Sequence, residues 1–106
     1  MLPSNNIGCI FGGGTVRCDI SGKTWTAPPQ PADCELDWGN GLQVGDGEAS
    51  VVCAGDTTLG GPDVLVYGLS AQRGDLRCDA EETGVTCTNL KTKHGFELSR
   101  EAFRLF

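Results

Sequence analysis

The sequence predicts a single all-β domain over residues 1–106, a small antiparallel sandwich or partly open barrel stapled by three disulfides. The chain has 16 glycines and 5 prolines, a composition rich in turns, whereas aromatic residues make up only 7% of it. Cys9 and Cys18 enclose eight residues around a glycine turn, and Cys78 and Cys87 enclose eight more. Such a bracket opposes two cysteines on neighbouring antiparallel strands, where a disulfide fits. We therefore expect about six to nine short strands.

The first hairpin is expected to turn at Gly13-Gly14, because a two-residue type I′ loop needs positive φ angles. Counting outward from this turn opposes Cys9 to Cys18. With a period of two, six side chains share the inward face: Ile7, Cys9, Phe11, Val16, Cys18 and Ile20. Arg17 and Asp19 then belong to the outer, polar face.

The central segment gives conflicting signals. The proline-rich stretch 25–33 predicts an extended loop, and Asn40-Gly41 and Gly45-Asp46-Gly47 each predict a turn, which together indicate a three-stranded meander. In a flat meander Cys34 and Cys53 would lie roughly 10 Å apart, too far to bridge. Either residues 39–47 form an excursion from a Cys34 to Cys53 hairpin, or the bridge closes past a twisted, irregular segment. Pairing of neighbouring cysteines along the chain is the expected connectivity.

The second hairpin is predicted from the same cysteine spacing as the first. Its turn is expected at residues 81–84, with Gly84 in the left-handed conformation, which opposes Cys78 to Cys87. The inward side chains are then Leu76, Cys78, Ala80, Val85 and Cys87. Asp79 and Thr86 pair on the outer face.

Three further segments complete the predicted fold. Residues 64–68 are the plainest buried strand, and residues 68–72 indicate a turn. Residues 96–98 alternate as a strand should, and His94 is expected in the turn before them. Ser99 could cap a single helical turn through Phe103, or the chain could continue as an edge strand with Phe103 and Leu105 inward. We expect the strand, because an all-β domain must close its last edge.

Charge and cysteine usage limit the class of protein. From Thr24 to Ala71 there are seven acidic residues and no Lys or Arg, and the net charge is −6. Such a surface repels phosphate backbones, so nucleic acid is excluded as a partner, whereas a cationic partner would be attracted.

Six cysteines in a short chain are typical of an oxidising compartment, which indicates a secreted or cell-surface protein. No apolar stretch is long enough to span a membrane, and the first residues lack a signal peptide, so we expect a mature or trimmed chain.

The candidate binding residues are aromatic and charged side chains close to glycine and proline turns: Trp25, Trp38, Asp37, Asp46, Glu48 and His94. The two tryptophans also fit a core role. Oxygen ligands near two turns could suit calcium, but their spacing does not match an EF-hand, and a single histidine without a Cys-x-x-Cys pair argues against zinc. We expect no metal and no cofactor. His94 is the one conventional base, and no nucleophile motif accompanies it, so no catalytic residue is assigned.

Short motifs along the whole chain carry a family resemblance: Pro3-Ser4-Asn5-Asn6-Ile7-Gly8-Cys9, Val16-Arg17-Cys18-Asp19-Ile20, Asp37-Trp38-Gly39, Val52-Cys53-Ala54-Gly55-Asp56-Thr57, Tyr67-Gly68, Gly84-Val85-Thr86-Cys87-Thr88-Asn89 and His94-Gly95-Phe96, with Leu98-Ser99-Arg100 and Arg104-Leu105-Phe106 the most specific. They resemble a family of small secreted or lipid-anchored, disulfide-bonded actinobacterial domains, common in mycobacteria and of unknown function. The resemblance implies an exported, disulfide-bonded envelope protein, and it offers no activity to carry over to this chain. Asn5 and Lys93 stand where the family often has glycine, and Phe103 where tyrosine is frequent.

These observations favour an exported, non-catalytic binding or interaction module of the cell envelope, acting as a monomer. Its partner would be an extracellular protein or a cell-wall component, with a cationic partner favoured by the acidic middle of the chain. One alternative is an inhibitor of a cationic extracellular enzyme, such as a lysozyme or protease. Another is an envelope hydrolase that uses His94, which would need an acid or hydroxyl within hydrogen-bond reach.

Overall fold

The structure, a computed structural model, describes residues 6–12, 14–54 and 70–106. Within these ranges the chain forms nine strands: β1 Ile7–Gly12, β2 Thr15–Ile20, β3 Trp38–Val44, β4 Ser50–Cys53, β5 Ser70–Arg73, β6 Leu76–Glu81, β7 Gly84–Asn89, β8 Gly95–Ser99 and β9 Phe103–Leu105. Strands β1 to β4 form one antiparallel sheet in chain order, and β5 to β9 form a second. Buried side chains of both sheets share one apolar core. The all-β prediction is confirmed, and of its two forms the structure shows the sandwich.

The first hairpin has the predicted register. Cys9 opposes Cys18, and Gly12 opposes Thr15 across the turn, where Gly13 itself lies outside the described residues. The expectation for the outer face is only half right. Asp19 is 1% exposed, and it accepts two hydrogen bonds from the half-buried Arg17 guanidinium, at 3.0 and 2.7 Å. The carboxylate is therefore buried on the face of the sheet that points away from the core, and it is paired there.

The second hairpin also has the predicted register, with Cys78 opposite Cys87 and Asp79 opposite Thr86. Its turn differs in one detail. Gly84 has a φ of 158°, which is close to extended backbone rather than the left-handed conformation expected for it. The reason is that Gly84 is already a strand residue, paired with Glu81 in β6 and with Ser99 in β8.

The two hairpin disulfides meet in the core. The Sγ atoms of Cys18 and Cys87, one from each sheet, lie 3.6 Å apart, and both residues are fully buried. All three bridges join neighbouring cysteines along the chain, as predicted. The hairpin bridges therefore cross-link strands within each sheet and also pack the sheets together.

The predicted turn at Asn40-Gly41 is wrong, because both residues lie inside β3. The register of β3 against β4 shifts between Trp38 and Leu42, which marks a β-bulge. The hairpin instead turns at residues 45–47, the second turn predicted. Cys34 lies in the loop before β3 and bridges Cys53 with a Cα to Cα distance of 6.0 Å. Of the two alternatives, the bridge that closes past an irregular segment is the one observed.

The remaining predictions have mixed outcomes. The loop over 25–33 and strand β8 are confirmed, but Ser70–Arg73 forms strand β5 where a turn was expected. The predicted strand at 64–68 lies outside the described residues. Strand β9 is confirmed with Phe103 packed against the core, whereas Leu105 is 38% exposed. Leu105 opposes the buried Phe96, so it lies on the inward face, but at an end of the sandwich that leaves it uncovered.

Candidate functional site

The candidate residues fall at two opposite ends of the sandwich. At one end, here called the loop end, the connection between β2 and β3 contacts the β8–β9 turn, and the amide of Thr24 donates to the carbonyl of Arg100 at 2.7 Å. At the other, the turn end, Asn89 Nδ2 donates to the carbonyl of Gly45 at 2.9 Å. The loop end holds Trp25, Asp37 and Trp38, and the turn end holds Asp46, Glu48 and His94. Strand β3 separates the two groups by about 20 Å.

Trp25 joins the two sheets at the loop end. Its indole Nε1 donates to the carbonyl of Ser99 at 2.8 Å, and its ring lies 4.6 Å from that of Phe103. The ammonium of Lys23 lies 5.3 Å from the centre of the Trp25 ring. Both the indole N–H and the ring of Trp25 are thus in contact with other residues. Trp25 therefore holds the long β2–β3 connection against the second sheet.

Trp38 holds the proline-rich loop. It is half-buried at the start of β3, and its Nε1 donates to the carbonyl of Pro28 at 2.7 Å. Gly39 follows with a φ of 83°, and a Cβ there would come 2.5 Å from Cβ of Ala27. The absence of a side chain at Gly39 thus lets the loop pack closely against the strand. Both tryptophans therefore make structural contacts.

An acidic, ordered loop lies next to Trp38. Cys34 is buried and bridged to Cys53, while Asp33, Glu35 and Asp37 are exposed. Between two of these acids Leu36 is 55% exposed. The loop therefore displays an apolar side chain flanked by carboxylates.

The turn end places His94 in a shallow groove. The groove has a volume of about 320 Å³ and is lined by Glu48, Ala49, His94, Leu105 and Phe106. The His94 backbone is fixed in the turn, because its amide donates to Thr92 Oγ1 at 3.3 Å and its carbonyl accepts from the Asn89 amide at 2.8 Å. Its imidazole ring forms no hydrogen bond with any residue in the described ranges. The structure thus brings Glu48 and His94 together, but not as a hydrogen-bonded pair.

The middle segment, residues 24–71, has five exposed acids in its described part, and none of them forms an ion pair with a described residue. Within the described residues, ion pairs join Arg17 to Asp19, Arg77 to Asp79 and Arg104 to Glu97. None involves the five exposed acids of the middle segment: Asp33, Glu35, Asp37, Asp46 and Glu48. Nor do these acids converge on one point. The three sulfur atoms that do converge, those of Cys9, Cys18 and Cys87, belong to disulfides and are not free to bind a metal.

Sequence reasoning missed Leu36, Leu105 and Phe106 as surface residues. For Leu36 a signal was present, because an isolated leucine stands between two acids beside a cysteine. Leu105 gave none, since its alternation with Phe103 at the end of a β-strand normally indicates a buried face, and Phe106 follows it directly without a pattern of its own. Leu105 is uncovered at an end of the sandwich, whereas Phe106 pairs with Gly95 and lies on the outer face of its sheet, with Arg104 over its ring.

No curated protein and no solved structure matches the chain. The model of one protein family, described as a family of unknown function (DUF6636), matches residues 4–106. Among the residues that the structure describes, no helix is long and apolar enough to cross a membrane.

Proposed function

The chain belongs to DUF6636, a family of unknown function, and from that premise we propose that it is an exported, non-catalytic binding module of the cell envelope whose partner is a cationic protein. The proposal rests on one observation. Five exposed carboxylates of the middle segment have no cationic partner among the described residues. A protein that leaves this many like charges unpaired attracts an opposite charge and repels an acidic one.

The proposed location follows from the disulfides. Three bridges in a chain of this length are typical of proteins folded in an oxidising, extracytoplasmic setting. The secreted or cell-surface location, in an actinobacterial envelope as the resemblance implies, is part of the proposal. A cell-wall component is the other partner class, and basic groups on it would serve the same surface.

Inhibition of a cationic extracellular enzyme is the narrower form of this function. It is favoured by the disulfide-anchored loop that displays Leu36 between acids, since rigid exposed loops bind with little loss of conformational entropy. The hydrolase hypothesis has less support. Neither an acid nor a hydroxyl in the described residues is hydrogen-bonded to the His94 ring, although Glu48 lines the same groove.

The test measures binding to basic proteins as a function of salt. The oxidised protein is immobilised, and lysozyme, trypsin and purified peptidoglycan are passed over it at about 20 and about 300 mM NaCl. We expect at least one basic enzyme to bind, with an affinity about tenfold or more lower at the higher salt concentration. A variant with all five middle-segment acids changed to their amides should lose this binding. Failure of both enzymes to bind, or binding that salt does not change, would contradict the proposal.

Residual activity of each enzyme, measured in the same samples, separates the two forms of the function. Loss of lysozyme or trypsin activity in proportion to the bound fraction would identify an inhibitor. Binding with full enzyme activity would identify an interaction module.

A further inference from the structure

We propose that the basic partner docks on a patch at the loop end, with Leu36 as its apolar anchor. This loop-end patch consists of exposed apolar residues and the carboxylates beside them: Pro28, Pro29, Pro31, Ala32, Leu36, Asp33, Glu35 and Asp37. The proposal rests on the proposed function, and it adds where the partner binds and which surface the partner must present. That surface is an apolar pocket with Lys or Arg at its rim.

Leu36 is unusually exposed for a leucine. Leu36 is 55% exposed, although leucine is among the residues most often buried. The neighbouring prolines and Ala32 are exposed as well, so the loop presents a run of apolar surface rather than one isolated side chain. Apolar surface with a polar rim is typical of protein interaction sites, whose energy is concentrated in a few central side chains.

Hydrogen bonds and a disulfide hold the loop that carries Leu36 in one conformation. Gln30 Nε2 donates to the carbonyls of Cys34 and Leu36, at 2.9 and 3.1 Å, and the Cys34 amide donates to the Pro31 carbonyl at 3.1 Å. The Trp38 indole fixes the other side of the loop through Pro28. With the bridge from Cys34 to Cys53, these contacts hold Leu36 in place before any partner arrives. A partner then has little loop entropy to remove.

Charge complementarity determines the chemistry of the partner. Asp33, Glu35 and Asp37 are exposed, and the described part of the middle segment contains no Lys or Arg to compensate them. A neutral or acidic pocket would have to desolvate these carboxylates without pairing them, which costs free energy. Lysine and arginine side chains around an apolar pocket would pair with the acids while Leu36 fills the pocket.

The turn end is less suited to the same partner. Its groove also contains apolar side chains, Leu105 and Phe106, and the acid Glu48. However, Lys91 and Lys93 are exposed in the turn that carries His94. These ammonium groups repel a cationic surface, so the acids of the turn end serve as a control rather than as the site. The loop end also has cations, Lys23 at the Trp25 ring and the exposed Arg100, but both lie outside the 28–37 segment that forms the patch.

The experiment compares two pairs of charge variants with equal net charge. Asp33→Asn with Glu35→Gln removes two charges at the loop end, and Asp46→Asn with Glu48→Gln removes two at the turn end. The probes are lysozyme and trypsin, at low salt, in the binding assay described above. We expect the loop-end pair to weaken binding about tenfold or more and the turn-end pair to change it by less than about threefold.

Leu36→Ala tests the anchor separately. We expect it to weaken binding about tenfold while leaving the salt dependence of the affinity unchanged, because it removes an apolar contact and no charge. Since Leu36 is exposed, the variant should unfold at the same temperature as the wild type, which shows that a loss of binding is not a loss of fold.

The outcomes distinguish this proposal from the proposed function. If the wild type binds neither enzyme, the proposed function fails. If it binds in a salt-dependent manner, but the turn-end pair weakens binding as much as the loop-end pair, or Leu36→Ala binds like the wild type, then the docking surface assigned here is wrong while the function stands.

Discussion

At the scale of single residues, Lys93 has a backbone conformation that glycine adopts more easily. It is the one non-glycine residue in the described ranges with a left-handed φ, 70°. The family that the sequence resembles often has glycine at this position. A side chain with a Cβ is disfavoured there, whereas glycine adopts the conformation without steric cost. The chain thus keeps a strained residue in the turn that carries His94.

Lys93→Gly should therefore stabilise the protein, by up to about 1 kcal/mol, because relief of the left-handed strain outweighs the extra freedom of the unfolded chain. Urea unfolding of the oxidised protein measures the change. Lys91→Gly is the matched control, since Lys91 is exposed in the same turn without a positive φ. Equal effects of the two changes would show that the φ angle is not the cause.

Asn89 is a buried polar residue that organises the same turn. It is 3% exposed, and its Oδ1 accepts hydrogen bonds from the amides of Lys91 and Thr92, at 2.9 and 3.1 Å. Its Nδ2 donates to the carbonyl of Gly45 in the β3–β4 turn of the other sheet. One side chain thus caps a turn and joins the two sheets. Its sequence neighbours do not reveal this role, because the partner Gly45 is 44 positions away.

Asn89→Ala should destabilise the protein by about 3 kcal/mol, since it leaves backbone groups in two turns, one at the end of each sheet, without their partners. Thermal unfolding in the oxidised state measures the loss. Asn40→Ala, at an exposed position in β3, should change stability by less than about 0.5 kcal/mol. A similar small effect at Asn89 would mean that water replaces its hydrogen bonds.

At the scale of elements, β3 explains why a strong turn signal failed. Asn-Gly favours a hairpin turn when nothing else constrains the chain. Here Gly41 pairs with Asp19 in β2, and a Cβ at Gly41 would overlap the Cys18 carbonyl and the Asp19 side chain. The glycine is therefore needed for close approach of two strands, and not for a turn. The prediction for β5 was wrong for a related reason. The polar sequence of Ser70–Arg73 shows no alternation of polar and apolar residues, and only its pairing with β6 makes it a strand.

Gly41→Ala should destabilise the fold by about 2 to 3 kcal/mol, because the neighbouring strand must move to admit a methyl group. The control is Gly47→Ala in the β3–β4 turn, where a Cβ would meet no atom within 4 Å. Both are compared by urea unfolding. If Gly41→Ala were as stable as Gly47→Ala, the close approach of β2 and β3 would be incorrect.

At the scale of the whole molecule, disulfides replace much of the apolar core that a chain of this size would otherwise need. In the chain-entropy model the two hairpin bridges contribute about 2.5 to 3 kcal/mol each, and the bridge from Cys34 to Cys53 slightly more. Their accessibility differs. Cys53 is exposed, whereas Cys18, Cys78 and Cys87 are at most 1% exposed and lie in the core between the sheets.

Reduction should therefore proceed in order. At low concentrations of dithiothreitol, alkylation and mass spectrometry should find Cys34 and Cys53 modified before the other four cysteines, since a thiolate must reach a sulfur atom to react. Complete reduction should unfold the protein, because the lost stabilisation is comparable to the total stability of a typical domain. A melting temperature that hardly changes after full reduction, or simultaneous modification of all six cysteines, would contradict this view.

The sequence by itself determined the features that depend on local spacing. Turn chemistry and a period of two were enough to place both hairpins, their registers and their disulfides, because each is closed within about ten residues. The tertiary structure alone decided what depends on the second sheet: the contact between Cys18 and Cys87, the burial of Asn89, the exposure of Leu105 and the bulge in β3. It also decided that the candidate residues occupy two ends of the sandwich. Local sequence carries no record of which distant surface covers a side chain, and that covering separates core from site.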